Sequence, residues 1–318
     1  MKLPDSVTYA APHYHPMVQR FIRFAEHLSG RTKVKNIYES IPDETIGKAD
    51  FYEEMLEKLN IELVINQDQD AQIPESGPLV FIANHPFGLL DGMVVSMLAA
   101  GSRPNWSILI NDVVSKFDDF KDYLLPISFS DSREAAMINI NTKKQALNLL
   151  KEGGAVVVFP SGGVATSEGV FGPITDIEWK LFPAKLIQQS KATVIPIYIH
   201  GTNSRKFHVV SQFNYFLRVA LYLHEMMRRQ DTSQEITIGK PITHEVYSQF
   251  KKRQQLIDFL RAKVFEMAPP HVVKVRKIKN YLDAEIGQPF DEIRKERRQL
   301  RRSQIQDQLK RRLKFMRH

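Results

Sequence analysis

The chain contains no cysteine. This absence excludes disulfide bonds, catalysis by a thiolate and metal sites built on cysteine, and it is compatible with a reducing compartment. Any chemistry must therefore use other side chains. The remaining residues imply neither a bound metal ion nor a prosthetic group, so we expect none.

Long apolar runs are missing too. No stretch approaches the roughly 20 apolar residues of a membrane-spanning helix, and Met1 to Tyr9 lack the apolar segment of a secretion signal. We therefore expect a cytoplasmic protein that is held peripherally at the inner face of the membrane.

A net positive charge is absent from most of the chain and concentrated near one end. Residues 274–318 carry 15 Lys and Arg against 6 Asp and Glu, a net charge of +9 within a total of +8. The pattern predicts a charged helix with a thin apolar stripe, which could be a solvated arm, a membrane-surface helix or a nucleic-acid contact. An anionic membrane surface is the favoured partner, because nothing upstream resembles a nucleic-acid module.

The order of apolar runs and helical periodicities along the chain predicts an α/β fold, with a central, mostly parallel sheet flanked by helices. Hydrophobic residues make up 43% of the chain and charged residues 25%, as in ordinary globular proteins. We expect a helical segment over 1–60, one α/β domain over 61–270 and a basic helical arm over 271–318. The predicted strands are 61–65, 79–83, 106–110, 124–129, 155–159, 192–200 and 235–242. The predicted helices are 17–28, 48–59, 93–100, 113–123, 142–151, 179–188, 214–229 and 249–265.

Two details of this assignment rest on single residues. Thr142 is a good N-cap residue, so we expect a helix to begin there. Pro196 interrupts the predicted strand 192–200, which favours an edge or bulge position for that strand.

The most informative stretch is 78–93, where an apolar strand breaks into a polar turn with glycines. Leu79 to Ala83 is the unbroken apolar run of a strand covered on both faces, and a helical run starts at Met93. A strand that ends in a turn before a helix places side chains at the carboxyl edge of a sheet, where α/β folds bind ligands. His85 and Asp91 lie in that turn.

These two side chains can act as a base and the group that orients it. An imidazole titrates near neutral pH, and a neighbouring carboxylate can fix its tautomer and stabilise the imidazolium. The alternative is that Asp91 only caps the helix and His85 is only a turn residue. The spacing alone leaves both interpretations open.

A second strand, Ala155 to Phe159, also runs into a turn of glycines and a hydroxyl, Pro160-Ser161-Gly162-Gly163. Closely spaced glycines let backbone N–H groups approach a ligand, so this turn could hold a phosphate or an oxyanion. Glycine turns are also common as purely structural elements.

Asn84-His85-Pro-Phe-Gly-Leu-Leu-Asp91-Gly resembles the signature of the lysophospholipid and glycerolipid acyltransferase superfamily, in particular its bacterial ornithine-lipid and hemolysin-like branch. Most of the superfamily has four residues between the His and the Asp, whereas this chain and that branch have five. The resemblance implies that His85 is the catalytic base and Asp91 its partner. It also implies that His85 activates the acceptor, which then attacks a thioester directly.

The turn at Pro160 is similar to a second block of these enzymes, Phe-Pro-Glu-Gly-Thr, with Ser161 in place of the Glu. Both departures point away from a glycerol-phosphate acceptor. By the same resemblance, Arg133 ends another block and helps to hold the acceptor, for which its guanidinium is suited if the acceptor is anionic. Asn84, Pro160, Ser161, Gly162 and Gly163 complete the predicted substrate-binding residues.

The sequence thus predicts an acyltransferase that moves a fatty acyl group from acyl carrier protein or coenzyme A to an amine or hydroxyl acceptor. The acceptor would be an aminolipid precursor or a lysophospholipid. The alternative is a non-catalytic membrane- or nucleic-acid-binding protein that retains the fold.

Overall fold

The computed structural model describes residues 16–17, 19–20, 30–67, 70–111, 118–130, 132–167, 172–213 and 215–269. Most of the helix predicted over 17–28, and the whole basic arm over 271–318, lie outside the described residues.

A seven-stranded mixed sheet forms the centre of the protein. Its strands stand in the order β1-β9-β8-β2-β5-β3-β4, in which β8, β2, β5, β3 and β4 run parallel and β9 and β1 run the opposite way. The strands are β1 Ile61–Gln67, β2 Leu79–Ala83, β3 Trp106–Asn111, β4 Leu124–Ile127, β5 Ala155–Val158, β8 Thr193–Ile199 and β9 Thr232–Ile238. A short antiparallel pair, β6 Thr166–Ser167 and β7 Ile174–Thr175, stands apart from it. The predicted fold class is confirmed.

Helices cover both faces of the sheet, as the unbroken apolar run of β2 requires. Phe81 belongs to the core on one side and Ile82 to the core on the other, and both are fully buried. Burying a side chain of this size stabilises a fold by about 1.5–3 kcal/mol. The helices are α1 Arg31–Glu39, α2 Ala49–Lys58, α3 Leu89–Ser102, α4 Arg133–Lys151, α5 Leu181–Ser190, α6 Arg205–Phe213, α7 Tyr215–Met227, α8 His244–Tyr247 and α9 Arg253–Glu266.

The first core lies under α1, α2 and α3, and the second lies under α4, α5 and α9. Tyr38 of α1 and Phe51 of α2 pack edge to face in the first core. Residues 31–60 therefore share a core with the sheet. In the described residues, no helix combines the length and apolar character that crossing a bilayer requires.

Helix α4 begins nine residues before the predicted start, so the N-cap assigned to Thr142 is wrong. Ser132 caps the helix by accepting a hydrogen bond from Ala135 N at 3.1 Å. Thr142 is buried within the helix, and its hydroxyl bonds to the carbonyl of Pro126 at the end of β4. The polar residues Asn139 and Asn141 hid the periodicity of the second and third turns.

The edge position expected for the strand containing Pro196 is also wrong, because β8 lies between β9 and β2. The proline is accommodated because its carbonyl, and therefore its nitrogen, faces the point where β9 has ended at Ile238. There Gly239 N donates to Pro196 O at 2.9 Å, and the missing N–H removes no hydrogen bond to β2, because it would point to the same side as the carbonyl.

Candidate active site

His85 and Asp91 meet at the carboxyl edge of β2. The Nδ1 atom of His85 lies 2.9 Å from the Oδ2 atom of Asp91. Because an ionised carboxylate can only accept, Nδ1 carries the proton of a neutral ring and Nε2 has the free lone pair. The side chain of His85 is 16% exposed, so the ring is open on one side.

The same carboxylate oxygen shapes the turn. Oδ2 of Asp91 also accepts hydrogen bonds from the N–H groups of Phe87 and Gly88, each at 2.8 Å. Gly88 is the N-cap of α3 and Asp91 the third residue of the helix, so its side chain reaches back to the cap. Asp91 therefore orients His85 and caps α3 at once, and the two interpretations drawn from the sequence are compatible.

Asp91 is completely buried, and its Oδ1 atom has no hydrogen-bond partner among the described residues. A buried carboxylate with an unpaired oxygen is costly to the fold. A catalytic role is one of the explanations for such an exception to hydrogen-bond pairing.

The ring of His85 stacks on the ring of Phe159. The ring centroids of His85 and Phe159 lie 4.2 Å apart, with 22° between the ring planes. Phe159 directly follows β5 and precedes the glycine turn. The stack therefore fixes the ring of His85 against the strand that carries the second predicted motif.

The backbone of His85 is fixed on both sides. Its N–H donates to Oδ1 of Asp176 at 3.0 Å, and its carbonyl accepts from Ala165 N at 2.7 Å. The other oxygen of Asp176 accepts from the indole of Trp179 at 3.0 Å. Asp176 is buried, and this desolvation raises the pKa of its carboxyl despite the hydrogen bonds.

The turn after β5 is tightly wound. Ser161 is fully buried, and its hydroxyl donates to the carbonyl of Gly163 at 2.8 Å. The N–H of Gly162 donates to Phe159 O, and the carbonyl of Pro160 accepts from Lys180 N. None of the described residues accepts from the N–H groups of Ser161 and Gly163, so these two are the donors that the turn can offer to a ligand.

The other predicted site residues differ in how they are placed. Both amide atoms of Asn84 bond to the backbone of Ile199, which ties the end of β2 to the end of β8. Arg133 is exposed at the start of α4, three strands from β2 at the same edge of the sheet. At about 4.8 Å per strand, the end of β4, six residues before Arg133, lies roughly 14 Å from the end of β2. Substrate contacts by Asn84 and Arg133 stay predictions.

Helices α6 and α7 contribute buried polar side chains near the glycine turn that follows β5. Arg218 is 4% exposed and donates to the carbonyl of Val164 at 2.8 Å. His208 is fully buried, and its Nε2 atom lies 3.2 Å from the hydroxyl of Thr202. Desolvation, followed by the charges of Arg218 and Arg205, lowers the pKa of His208 to about 4, so the ring is neutral.

Sequence reasoning missed Asp176, Arg218 and Phe159 as parts of the site, and it missed helix α6 altogether. The signal for Asp176 was weak, because it is one of two carboxylates in the stretch Ile174-Thr-Asp-Ile-Glu-Trp179. Its partner, the N–H of His85, is 91 residues away, and only the fold brings them together. In the part of the chain that the structure describes, no three His, Asp or Glu side chains are grouped to hold a metal ion.

Comparisons with known proteins show the family to which the chain belongs. A family model described as "Acyltransferase" matches residues 62–269. A lyso-glycine lipid O-acyltransferase from Phocaeicola vulgatus is 25% identical over 268 residues, which cover 82% of this chain and 92% of that protein. A protein of the same name from Bacteroides thetaiotaomicron is 24% identical over 273 residues, 81% of this chain and 93% of that protein. The crystal structure of the 1-acyl-sn-glycerophosphate acyltransferase PlsC from Thermotoga maritima aligns with 78% of this chain and 86% of its own, at 16% identity and a TM-score of 0.46.

Proposed function

The chain belongs to the acyltransferase family whose model spans residues 62–269, and from this premise we propose that it acylates the free hydroxyl of a lyso-aminolipid. The acyl group would come from a thioester of acyl carrier protein or coenzyme A. Two relatives that align over about four-fifths of this chain are named lyso-glycine lipid O-acyltransferases, which supports a single-chain amino-acid lipid as the acceptor class.

The observation that carries the proposal is the His85–Asp91 pair at the carboxyl edge of β2. His85 Nε2 takes the proton from the acceptor hydroxyl as its oxygen attacks the thioester carbonyl. A tetrahedral oxyanion forms, and its collapse forms the ester and breaks the carbon–sulfur bond. The departing thiolate receives this proton from the imidazolium, which Asp91 stabilises until then.

The oxyanion needs hydrogen-bond donors that are already in place. We assign this role to the backbone N–H groups of Ser161 and Gly163, which have no acceptor among the described residues. The turn stays rigid because the hydroxyl of Ser161 points inward to Gly163 O. Donors that are preorganised in this way contribute about 10²–10³-fold to acyl transfer.

Ser161 also bears on the choice of acceptor. Its side chain is buried and bonded within the turn, so it offers no group to a glycerol-phosphate head. We therefore expect poor activity on glycerol 3-phosphate and on its 1-acyl derivative. Efficient acylation of either compound would overturn this part of the proposal.

The proposed location is the cytoplasmic face of the membrane, where a lyso-lipid acceptor is held. The 15 Lys and Arg of residues 274–318 support attraction to anionic lipid, at about 1 kcal/mol for each cation at the surface. That attraction should weaken steeply as salt is raised, because charges at a surface are screened over roughly 8 Å at physiological ionic strength.

The proposal is tested by comparing lipid extracts of cells with and without the protein by mass spectrometry. Loss of the protein should deplete a two-chain amino-acid lipid and accumulate its single-chain precursor. Unchanged amino-acid lipids together with a changed phosphatidic acid pool would contradict the proposed acceptor.

A further inference from the structure

Helix α4 exposes large apolar side chains where an amphipathic helix is normally polar. Met137 is 58% exposed and Ile140 is 67% exposed. At 100° per residue these two lie on one side of the helix with Arg133, Lys144 and Lys151, all of which are exposed. These five residues are called the α4 face, and its apolar centre is bounded by cations at both ends.

The surroundings of the α4 face are positively charged. Helix α4 contains four cations and one carboxylate, that of Glu134. Lys143 points toward α5 and α9, where desolvation and the nearby charges of Lys185 and Arg253 lower its pKa. Cations from three helices thus converge beside the α4 face, and their repulsion favours an anionic partner.

The α4 face starts at the same edge of the sheet as the candidate active site. Because α4 connects the parallel strands β4 and β5, it begins at the carboxyl edge of the sheet that carries His85 and runs back along the domain. From Arg133 to Lys151 it extends about 27 Å at 1.5 Å per residue. The strand that leads into its first turn, β4, lies three strands, or roughly 14 Å, from the end of β2.

We propose that the α4 face docks the protein that delivers the acyl chain, a small acidic acyl carrier protein. This inference rests on the proposed function, and it chooses the carrier protein over coenzyme A as the donor. Met137 and Ile140 would be covered by the carrier, while the cations around them meet its carboxylates. A thioester on a flexible prosthetic arm can then reach from the start of α4 to His85.

Other occupants fit the α4 face less well. The segment 274–318 has a net charge of the same sign, and a second copy of this chain would set cations against cations. A bilayer lying along α4 would run parallel to the strands and leave the carboxyl edge, where His85 opens, facing sideways. A compact acidic protein satisfies both the charge and the position.

The test compares two donors in steady-state kinetics with purified full-length protein. The variants Lys144→Glu and Ile140→Ser should raise the KM for acyl carrier protein thioester by about tenfold or more, with little change in kcat. With acyl coenzyme A as donor, the same variants should react at the wild-type rate. Arg133 is kept intact because it is a predicted acceptor-binding residue.

Lys121→Glu and Val246→Ser are the matched controls, since both side chains are exposed and neither belongs to α4. They should leave the KM for both donors unchanged. An unchanged KM for the carrier protein in the α4 variants, an equal loss with both donors, or a wild-type enzyme that uses only acyl coenzyme A would overturn the inference. Loss of binding to anionic vesicles with an unchanged KM would identify the α4 face as a membrane contact instead. If the wild type transferred acyl chains from neither donor, the proposed function itself would fail.

Discussion

The Nδ1 atom of His85 and the Oδ2 atom of Asp91 lie 2.9 Å apart, and the same oxygen accepts two backbone N–H groups of the turn between them. The orientation of the imidazole and the shape of the turn therefore depend on one buried carboxylate. Loss of its charge should disturb both.

Asp91→Asn should reduce acyl transfer by about 10²–10⁴-fold, because the amide neither stabilises the imidazolium nor fixes the tautomer of His85. The free energy of unfolding should fall by about 1–3 kcal/mol as hydrogen bonds to a charged acceptor weaken. Turnover and urea unfolding of the same preparation measure the two effects. A rate within threefold of the wild type would show that Asp91 only caps α3.

Asp176→Asn tests whether the carboxylate behind His85 positions the catalytic residue. An amide oxygen and nitrogen cannot accept from both His85 N–H and the Trp179 indole, so one hydrogen bond is lost and His85 shifts. We expect kcat to fall by about tenfold with the KM for the acceptor nearly unchanged. A fall in stability with normal kcat would leave Asp176 a purely structural residue.

The same variant has a second readout. Burial raises the pKa of Asp176, so the folded protein holds this proton more tightly than the unfolded chain does. As pH rises above the ordinary value of 3.8, the stability of the wild type should therefore decrease relative to Asp176→Asn. Urea unfolding of both proteins from pH 4 to pH 8 measures the free energy of unfolding of the wild type relative to the variant. An increase of this relative stability with pH would contradict a buried, desolvated carboxyl at Asp176.

His208 should destabilise the protein in acid. Its pKa is lowered to about 4 in the folded state, whereas the unfolded chain binds the proton near 6.5. Stability is then full above pH 6.5 and falls toward pH 4, by on the order of 2–3 kcal/mol for this residue. His208→Gln removes the titration, so the loss between pH 7.5 and pH 4.5 should be smaller in the variant by that amount. Equal losses would show that the ring is accessible to protons.

Gly88→Ala should impair the active site, because the added Cβ atom would crowd the side chain of Val164. Gly88 has a φ of +95°, and a Cβ atom there would lie 3.1 Å from Cγ2 of Val164, next to the residue that holds His85 O. Gly77 is the matched control, because its φ is +83° and nothing lies within 4 Å of the added atom. Both variants bear the cost of a side chain at positive φ, which is greater at Gly88 because its ψ of −103° lies outside the left-handed helical region, and only Gly88→Ala should lose turnover. Equal turnover in the two variants would mean that the turn adjusts freely.

The parts of the fold that follow from local pattern were predictable from the sequence. Strand β2 has its predicted bounds, and β1, β3 and β5 agree to within two residues, because each is a short apolar run closed by turn residues. The start of α4 was missed because asparagines occupy its second and third turns, where side-chain hydrogen bonds weaken helical signals. Asn139 instead bonds to the backbone of Ser128.

For the site, the sequence predicted the two turns but not what surrounds them. The His85–Asp91 contact is local, so its spacing and its chemistry could be inferred together. Asp176, Phe159 and Arg218 reach the turn from other strands and helices, and no periodicity encodes such long-range contacts. The placement of β8 inside the sheet depended on where β9 ends, which Pro196 alone could not indicate.

The central claim, that His85 is the base of a lyso-aminolipid acyltransferase, is tested most directly by reconstituting the reaction. Wild-type protein and His85→Ala are supplied with a lyso-glycine lipid and acyl carrier protein or coenzyme A thioester, and the two-chain product is quantified by mass spectrometry. The account predicts steady product formation by the wild type and a loss of at least about 10²–10⁴-fold in the variant, with unchanged circular dichroism. Normal turnover by His85→Ala, or no product from the wild type with either donor, would contradict it.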